Sequence, residues 1–152
     1  MKLPQTPFAV ITGAGSGFGR ALGLLLARRG ANLLLSDRDL SSVEESAKLC
    51  REAGASSARS MACDVTRTED IEALAAACDG RIDLVVNNAG VSSGGLIGEM
   101  PIDQWRWTLD VDLWGVIYGC HVFAPILRKQ GSGNILNMAS AAGLLSAPRM
   151  GA

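Results

Sequence analysis

Four glycines fall within seven positions, at Gly13, Gly15, Gly17 and Gly19. An apolar run, residues 8–11, precedes them, and a segment with Leu22, Leu25 and Leu26 on one helical face follows. Strand, glycine turn and helix together make a geometry that holds phosphate. Glycine lets the backbone turn tightly and approach a ligand, and a helix N-terminus aims its N–H groups at negative charge. No lysine follows these glycines, so the Gly-Lys-Ser/Thr end of a Walker-type loop is absent. A strict Gly-x-Gly-x-x-Gly would require its third glycine at Phe18. The spacing that fits is Thr-Gly-x-x-x-Gly-x-Gly, on Thr12, Gly13, Gly17 and Gly19, with Gly15, Ser16 and Phe18 inside the loop.

Other chemistry-bearing residues also follow apolar runs. Asp37 ends a run centred on Leu33, Leu34 and Leu35. An acid there can accept hydrogen bonds from ribose hydroxyls and repels a 2′-phosphate, which favours NAD over NADP. Arg38 is placed to contact a phosphate and partly reverse that preference, and a strand-ending turn remains the plain alternative for Asp37. Asp64-Val65 ends a third, weaker run. Asn87-Asn88-Ala89-Gly90 ends a fourth, and turn chemistry accounts for one Asn and the Gly but not for the tetrapeptide. Ser140 follows a fifth.

The elements that would carry these residues alternate. Strands are expected at residues 8–12, 31–36, 57–63, 84–86 and 133–138. Helices are expected at 21–29, 42–53 and 69–78, with a long one over 105–130 broken near Pro125. Ser41 with Glu44 reads as a capping box for the second helix, and Thr68 as the cap of the third. The alternation predicts an α/β doubly wound parallel sheet in three α/β/α layers. In such a sheet ligands sit at the carboxyl ends of the strands, where all of these motifs fall.

Composition narrows the function. The 152 residues suffice for one domain with a core. Fourteen basic and fifteen acidic residues give a net charge of −1, without the basic footprint of a nucleic-acid binder or a membrane-surface protein. No apolar run is long enough to span a bilayer, and no signal-peptide pattern opens the chain. Cys50, Cys63, Cys78 and Cys120 form no Cys-x-x-Cys pair and read as small buried or half-buried thiols, which fits a cytoplasmic location. His121, the one histidine, lies on an apolar helix without metal-ligand spacing, so no metal site is expected.

Taken jointly, the glycine loop, Asn87-Asn88-Ala89-Gly90 and the turn at residues 135–143 resemble the short-chain dehydrogenase/reductase family, over nearly the whole chain. The resemblance implies a single NAD(P)-binding Rossmann-like domain over residues 1–152, incomplete at its C-terminus. It implies a cofactor site on the glycine loop, Asp37 and Arg38, Asp64 and Val65, and Asn88, Ala89 and Gly90. Asp64 would bond the adenine edge and Val65 pack near the ring. Ser140 matches the serine that hydrogen-bonds the substrate oxygen. Trp105-x6-Asp112-x-x-Gly115 matches the long central helix, but Asp112 stands where the family usually has an Asn of the proton relay. That departure leaves two readings open, a relay residue and a polar residue of the helix start.

The family's Ser-x12-Tyr-x3-Lys would place its tyrosine one position past Ala152. Tyr118, the one tyrosine present, is elsewhere. The expected function is NAD-dependent hydride transfer, NADP being the alternative cofactor, between nicotinamide and a carbonyl or secondary alcohol of a small molecule. Residues 1–152 alone are expected to be inactive, for want of a proton-transfer group. A catalytically inactive dinucleotide-binding or interaction module is the competing reading. The helix after Asp112 is apolar nearly all round, which predicts either a homo-oligomer formed through it or marginal stability.

Overall fold

Ala9, Val10 and Ile11 are wholly buried, and they set the centre of the sheet. They lie in β1 (Phe8–Thr12), an uninterrupted apolar strand because both of its faces are covered. The computed structural model describes residues 3–145, 148 and 149. After β1 come α1 (Gly17–Ala27), β2 (Asn32–Asp37), α2 (Leu40–Glu52), β3 (Ser57–Ala62) and α3 (Thr68–Ala76). Then follow β4 (Leu84–Asn87), α4 (Ile102–Leu109), a π-helical turn (Asp110–Trp114), α5 (Gly115–Gln130) and β5 (Asn134–Asn137).

The five strands form one parallel sheet in the order β3-β2-β1-β4-β5. Alternate residues of each strand feed two cores. Ala9, Ile11, Leu33 and Leu35 pack with Leu26, Val43 and Ala47 of α1 and α2. Val10, Leu34 and Val85 pack on the other side with Ile71, Leu74, Phe123 and Leu127 of α3 and α5. The expected α/β fold with five parallel strands is therefore present. Strand order turns back between β1 and β4, which opens a crevice above their carboxyl ends.

Helix starts and caps depart from the sequence expectation more than the strands do. α1 begins at Gly17, inside the glycine loop, rather than at residue 21. The cap of α2 is Asp39, not Ser41: its carboxylate accepts from Ser42 N (3.3 Å) and from the Ser42 hydroxyl. Those bonds, the hydroxyl's first, hold the Asp39 carboxyl below its ordinary range. Thr68 is the first residue of α3 and does not cap it. The helix after Pro101 runs through Pro125 without ending, and its irregular turn falls at Asp110–Trp114. Pro125 lies on the exposed face, where the carbonyl it leaves unpaired can take water.

Two apolar surfaces remain uncovered. Leu113, Trp114, Ile117 and Ile126 are exposed along the π turn and α5. β5 has no strand beyond it among the described residues, and Leu136 and Met138 are exposed. No helix among the described residues is long and apolar enough to cross a membrane. The four cysteines are free thiols, Cys50 and Cys63 buried and the other two half-buried.

Candidate cofactor groove

Thr12 joins the ends of the two strands that flank the crevice. Its hydroxyl donates to the Val86 carbonyl (3.4 Å) and accepts from the Asn88 and Ala89 N–H groups, each at 3.1 Å. Asn88 answers from just past β4: its Nδ2 donates to the carbonyls of Thr12 (2.9 Å) and Gly13 (3.1 Å). The two loops are so close that a Cβ on Gly13 would stand 2.6 Å from Ala89 Cα, and Gly13 has φ +63°. Only glycine meets both conditions there.

Ser16 precedes α1 but makes no side-chain capping bond. The first-turn N–H groups of α1 therefore have no capping side chain as acceptor, and Gly15, Ser16, Gly17 and Phe18 at this terminus line the groove. Phe18 is 81% exposed at the groove mouth. Gly19 sits behind it, where the helix crosses the Gly13 carbonyl.

Asp37 closes one end. Its Oδ2 accepts from Gly15 N (2.9 Å) and its Oδ1 from Asp39 N (3.1 Å). Each oxygen keeps acceptor capacity toward the groove. Arg38 lies at the rim with an exposed side chain. Asp64 Oδ1 accepts from the N–H (3.0 Å) and hydroxyl (2.8 Å) of Thr66, while Asp64 N donates to Asp70 Oδ2 (2.9 Å). Val65 beside it is 8% exposed.

These parts enclose a groove of about 900 Å³ that Asn88, Ala89 and Gly90 also line. Twelve of the sixteen residues singled out from the sequence border it. Thr12 and Gly19 lie behind its surface and shape it. Ser140 and Asp112 do not line it. Ser140 is exposed, and its Oγ accepts from Ala142 N (3.1 Å) to start the 3-10 turn Ala141–Gly143. Asp112 Oδ1 accepts from Val91 N (2.8 Å) and so ties the π turn to the loop after β4. No hydrogen bond joins the two residues, although Met138 and Val91, beside each, reach the groove.

The far wall is built from residues outside any of the strand-end motifs. Asp103, Arg106, Trp107 and Asp110 reach the groove from α4 and the turn after it. Their spacing of i, i+3, i+4 and i+7 was the available signal, since it puts four non-aliphatic residues on one helical face. His121 is exposed on α5, and no cluster able to hold a metal occurs among the described residues.

Cys63 also lines the groove, and its thiol is pushed up to about 12, first by burial and then by the charges of Asp70 and Asp64. Burial likewise lifts Cys78 to about 11. A thiol with an ordinary value near 9.0 holds its proton more tightly in the folded chain, so stability present below pH 9 falls as pH rises toward 12. Unfolding in urea is expected to show a loss on the order of 1 kcal/mol from Cys63 between pH 8 and pH 10. Cys63→Ala should reduce the alkaline loss by that amount; an unchanged loss would assign it to other groups.

A glycine loop running into a helix, an acid at the tip of the second strand and a groove at the switch point now stand together. The family model for short chain dehydrogenases matches residues 7–152. The chain belongs to the short-chain dehydrogenase family. Among relatives, an uncharacterized oxidoreductase of Staphylococcus saprophyticus is 39% identical over 137 residues, 88% of this chain and 54% of that protein. A short-chain dehydrogenase/reductase of Burkholderia phymatum, solved in complex with NAD, is 41% identical with a TM-score of 0.93. That match covers 99% of this chain and 55% of the other. An NAD+-bound xylitol dehydrogenase is 30% identical with a TM-score of 0.91, covering 99% of this chain and 58% of that one. The chain thus spans about half the length of the short-chain dehydrogenases it matches.

Proposed function

We propose that this chain is the NAD-binding unit of an oxidoreductase that moves hydride between nicotinamide and a carbonyl or secondary alcohol carbon. The observation that carries this reading is the pairing of two features on one groove. The first turn of α1 offers N–H groups without a capping side chain, and Asp37 keeps acceptor capacity 22 positions from the Gly15 N–H that it holds. The first suits a pyrophosphate and the second a ribose diol. In this reading residues 1–152 are a single NAD(P)-binding unit.

In this reading NAD supplies hydride donation or acceptance at its nicotinamide ring. The chain supplies the rest. The α1 terminus holds the pyrophosphate. Asp37 accepts from the adenosine ribose and disfavours a 2′-phosphate, with NADP as the weaker alternative because only Arg38 offsets that charge. Asp64 and Val65 border the adenine, and Thr12 with Asn88 keeps the floor rigid. Ser140 donates to the substrate oxygen. Asp112 orders the loop after β4 through Val91. Leu113, Trp114, Ile117 and Ile126 are the face through which two copies would associate, in the cytoplasm.

A non-catalytic dinucleotide-binding module is the second reading for the polypeptide of residues 1–152. The observation favouring it is Tyr118: the one tyrosine sits on α5 against Trp114, with ring centroids 5.7 Å apart, rather than at the groove. A fluorescence titration with NADH and NADPH tests both. The expected result for residues 1–152 is saturable NADH binding, NADPH at least about tenfold weaker, and no turnover of secondary alcohols. Failure to bind NADH at millimolar concentration would overturn the cofactor assignment, and turnover would overturn the inactive reading.

A further inference from the structure

Arg20 occupies the second turn of α1, behind the glycine loop and away from the groove lining. Its side chain is only 27% exposed. The guanidinium directs its donors to two separate pieces of chain, the glycine loop and α2. Nη2 donates to the Gly15 carbonyl, to the Ser42 carbonyl (3.3 Å) and to Glu45 Oε2 (2.9 Å). Nε donates to the wholly buried hydroxyl of Ser46 (2.8 Å). Ser46 in turn donates to the Ser42 carbonyl (3.1 Å).

The Gly15 bond gives this network its reach. Gly15 lies between Gly13 and Gly17, both at positive φ, so the loop has little stiffness of its own there. Its N–H is held by Asp37 and its carbonyl by Arg20. α2, which starts three residues after Asp37, is tied to the same guanidinium through Ser42, Glu45 and Ser46. Nε and Nη2 of one rigid plane hold the Ser46 hydroxyl and the Gly15, Ser42 and Glu45 oxygens at fixed relative positions, whereas an ammonium carries all its donors on one nitrogen at the end of a flexible stem.

We infer that Arg20 is a positioning residue that fixes the Asp37 carboxylate against the ribose 2′-hydroxyl by clamping the Gly15 peptide to the first turns of α2. This rests on the NAD-site reading above. The clamp acts on one hydrogen bond of the ligand, so its loss has a signature that general destabilisation lacks.

The test compares NADH with 2′-deoxy-NADH on wild type, Arg20→Gln and Arg20→Lys, with melting curves to establish folding. Wild type is expected to bind the deoxy analogue about tenfold more weakly, the cost of one hydrogen bond to a charged acceptor. In both variants that penalty should shrink to within about twofold, because a misplaced carboxylate no longer distinguishes the two ligands. A full penalty in a folded variant would overturn the role of Arg20. Failure of both variants to fold would overturn it as well, making Arg20 a residue of the fold. A wild type that binds neither ligand, or shows no penalty, would instead sink the NAD-site reading, so the two failures are distinguishable.

Discussion

A Gly19→Ala protein is expected to lose dinucleotide binding and to be about 3 kcal/mol less stable, an overpacking effect at the upper end of its usual range. A Cβ at this position would overlap the Gly13 carbonyl oxygen and stand 2.7 Å from Asn88 Nδ2 and 2.9 Å from Ala14 Cα. Two of those three neighbours are backbone, and Asn88 is already committed to the carbonyls of Thr12 and Gly13. None can swing aside as a flexible side chain could. α1 must therefore lift, which carries its first-turn N–H groups away from the place a pyrophosphate would occupy. Urea unfolding and an NADH titration measure the two effects on one preparation. Stability within 1 kcal/mol of wild type, together with near-normal affinity, would mean that the loop has slack the contacts do not suggest.

The second large effect is expected at Asp37. Asp37→Ser should weaken NADH by roughly ten- to a hundredfold, since it removes hydrogen bonds to a charged acceptor worth about 1.5–3 kcal/mol. NADPH should move the other way. With the carboxylate gone, Arg38 at the rim is a positive charge able to meet a 2′-phosphate, and Ser42 adds a hydroxyl to the groove lining. The ratio of the two dissociation constants should therefore shift further than either constant. Parallel fluorescence titrations decide the matter. An unchanged ratio would remove Asp37 from the ribose site and leave it as the anchor of Gly15 alone.

The strands and the glycine loop were legible because their signals are strong and local. A run such as Leu33-Leu34-Leu35, covered on both faces, has few other places to go. The strand-end motifs were legible as a group because a parallel sheet brings all its strand ends to one side. Helix starts were harder. Asp39 and Ser41 both suit a cap, and the choice depends on how the chain leaves β2, with Asp37 already holding the Asp39 N–H. The π turn carries no sequence mark of its own, and Pro125, which does look like a breaker, is tolerated because it faces outward. The α4 wall was missed because Asp103, Arg106, Trp107 and Asp110 match no motif. Their role comes from where α4 lies, which the chain fixes only through tertiary contacts.

The Thr12 clamp also bears on the order of assembly. β1, β2 and β3 lie within residues 8–62 and pair through short crossovers, whereas the hydroxyl of Thr12 meets groups 74 to 77 positions away. Closing that span costs more chain entropy than any single step between β1 and β3. A chain with only its first three strands paired would own a glycine loop and an acid but no groove floor. Dinucleotide affinity is then a property of the completed sheet, and ligand present during refolding selects for the last junction to form. At a hundredfold excess over its dissociation constant such a ligand adds about 2.7 kcal/mol to the global stability. It adds nothing to a half-built intermediate, which steepens the cooperativity of the whole transition.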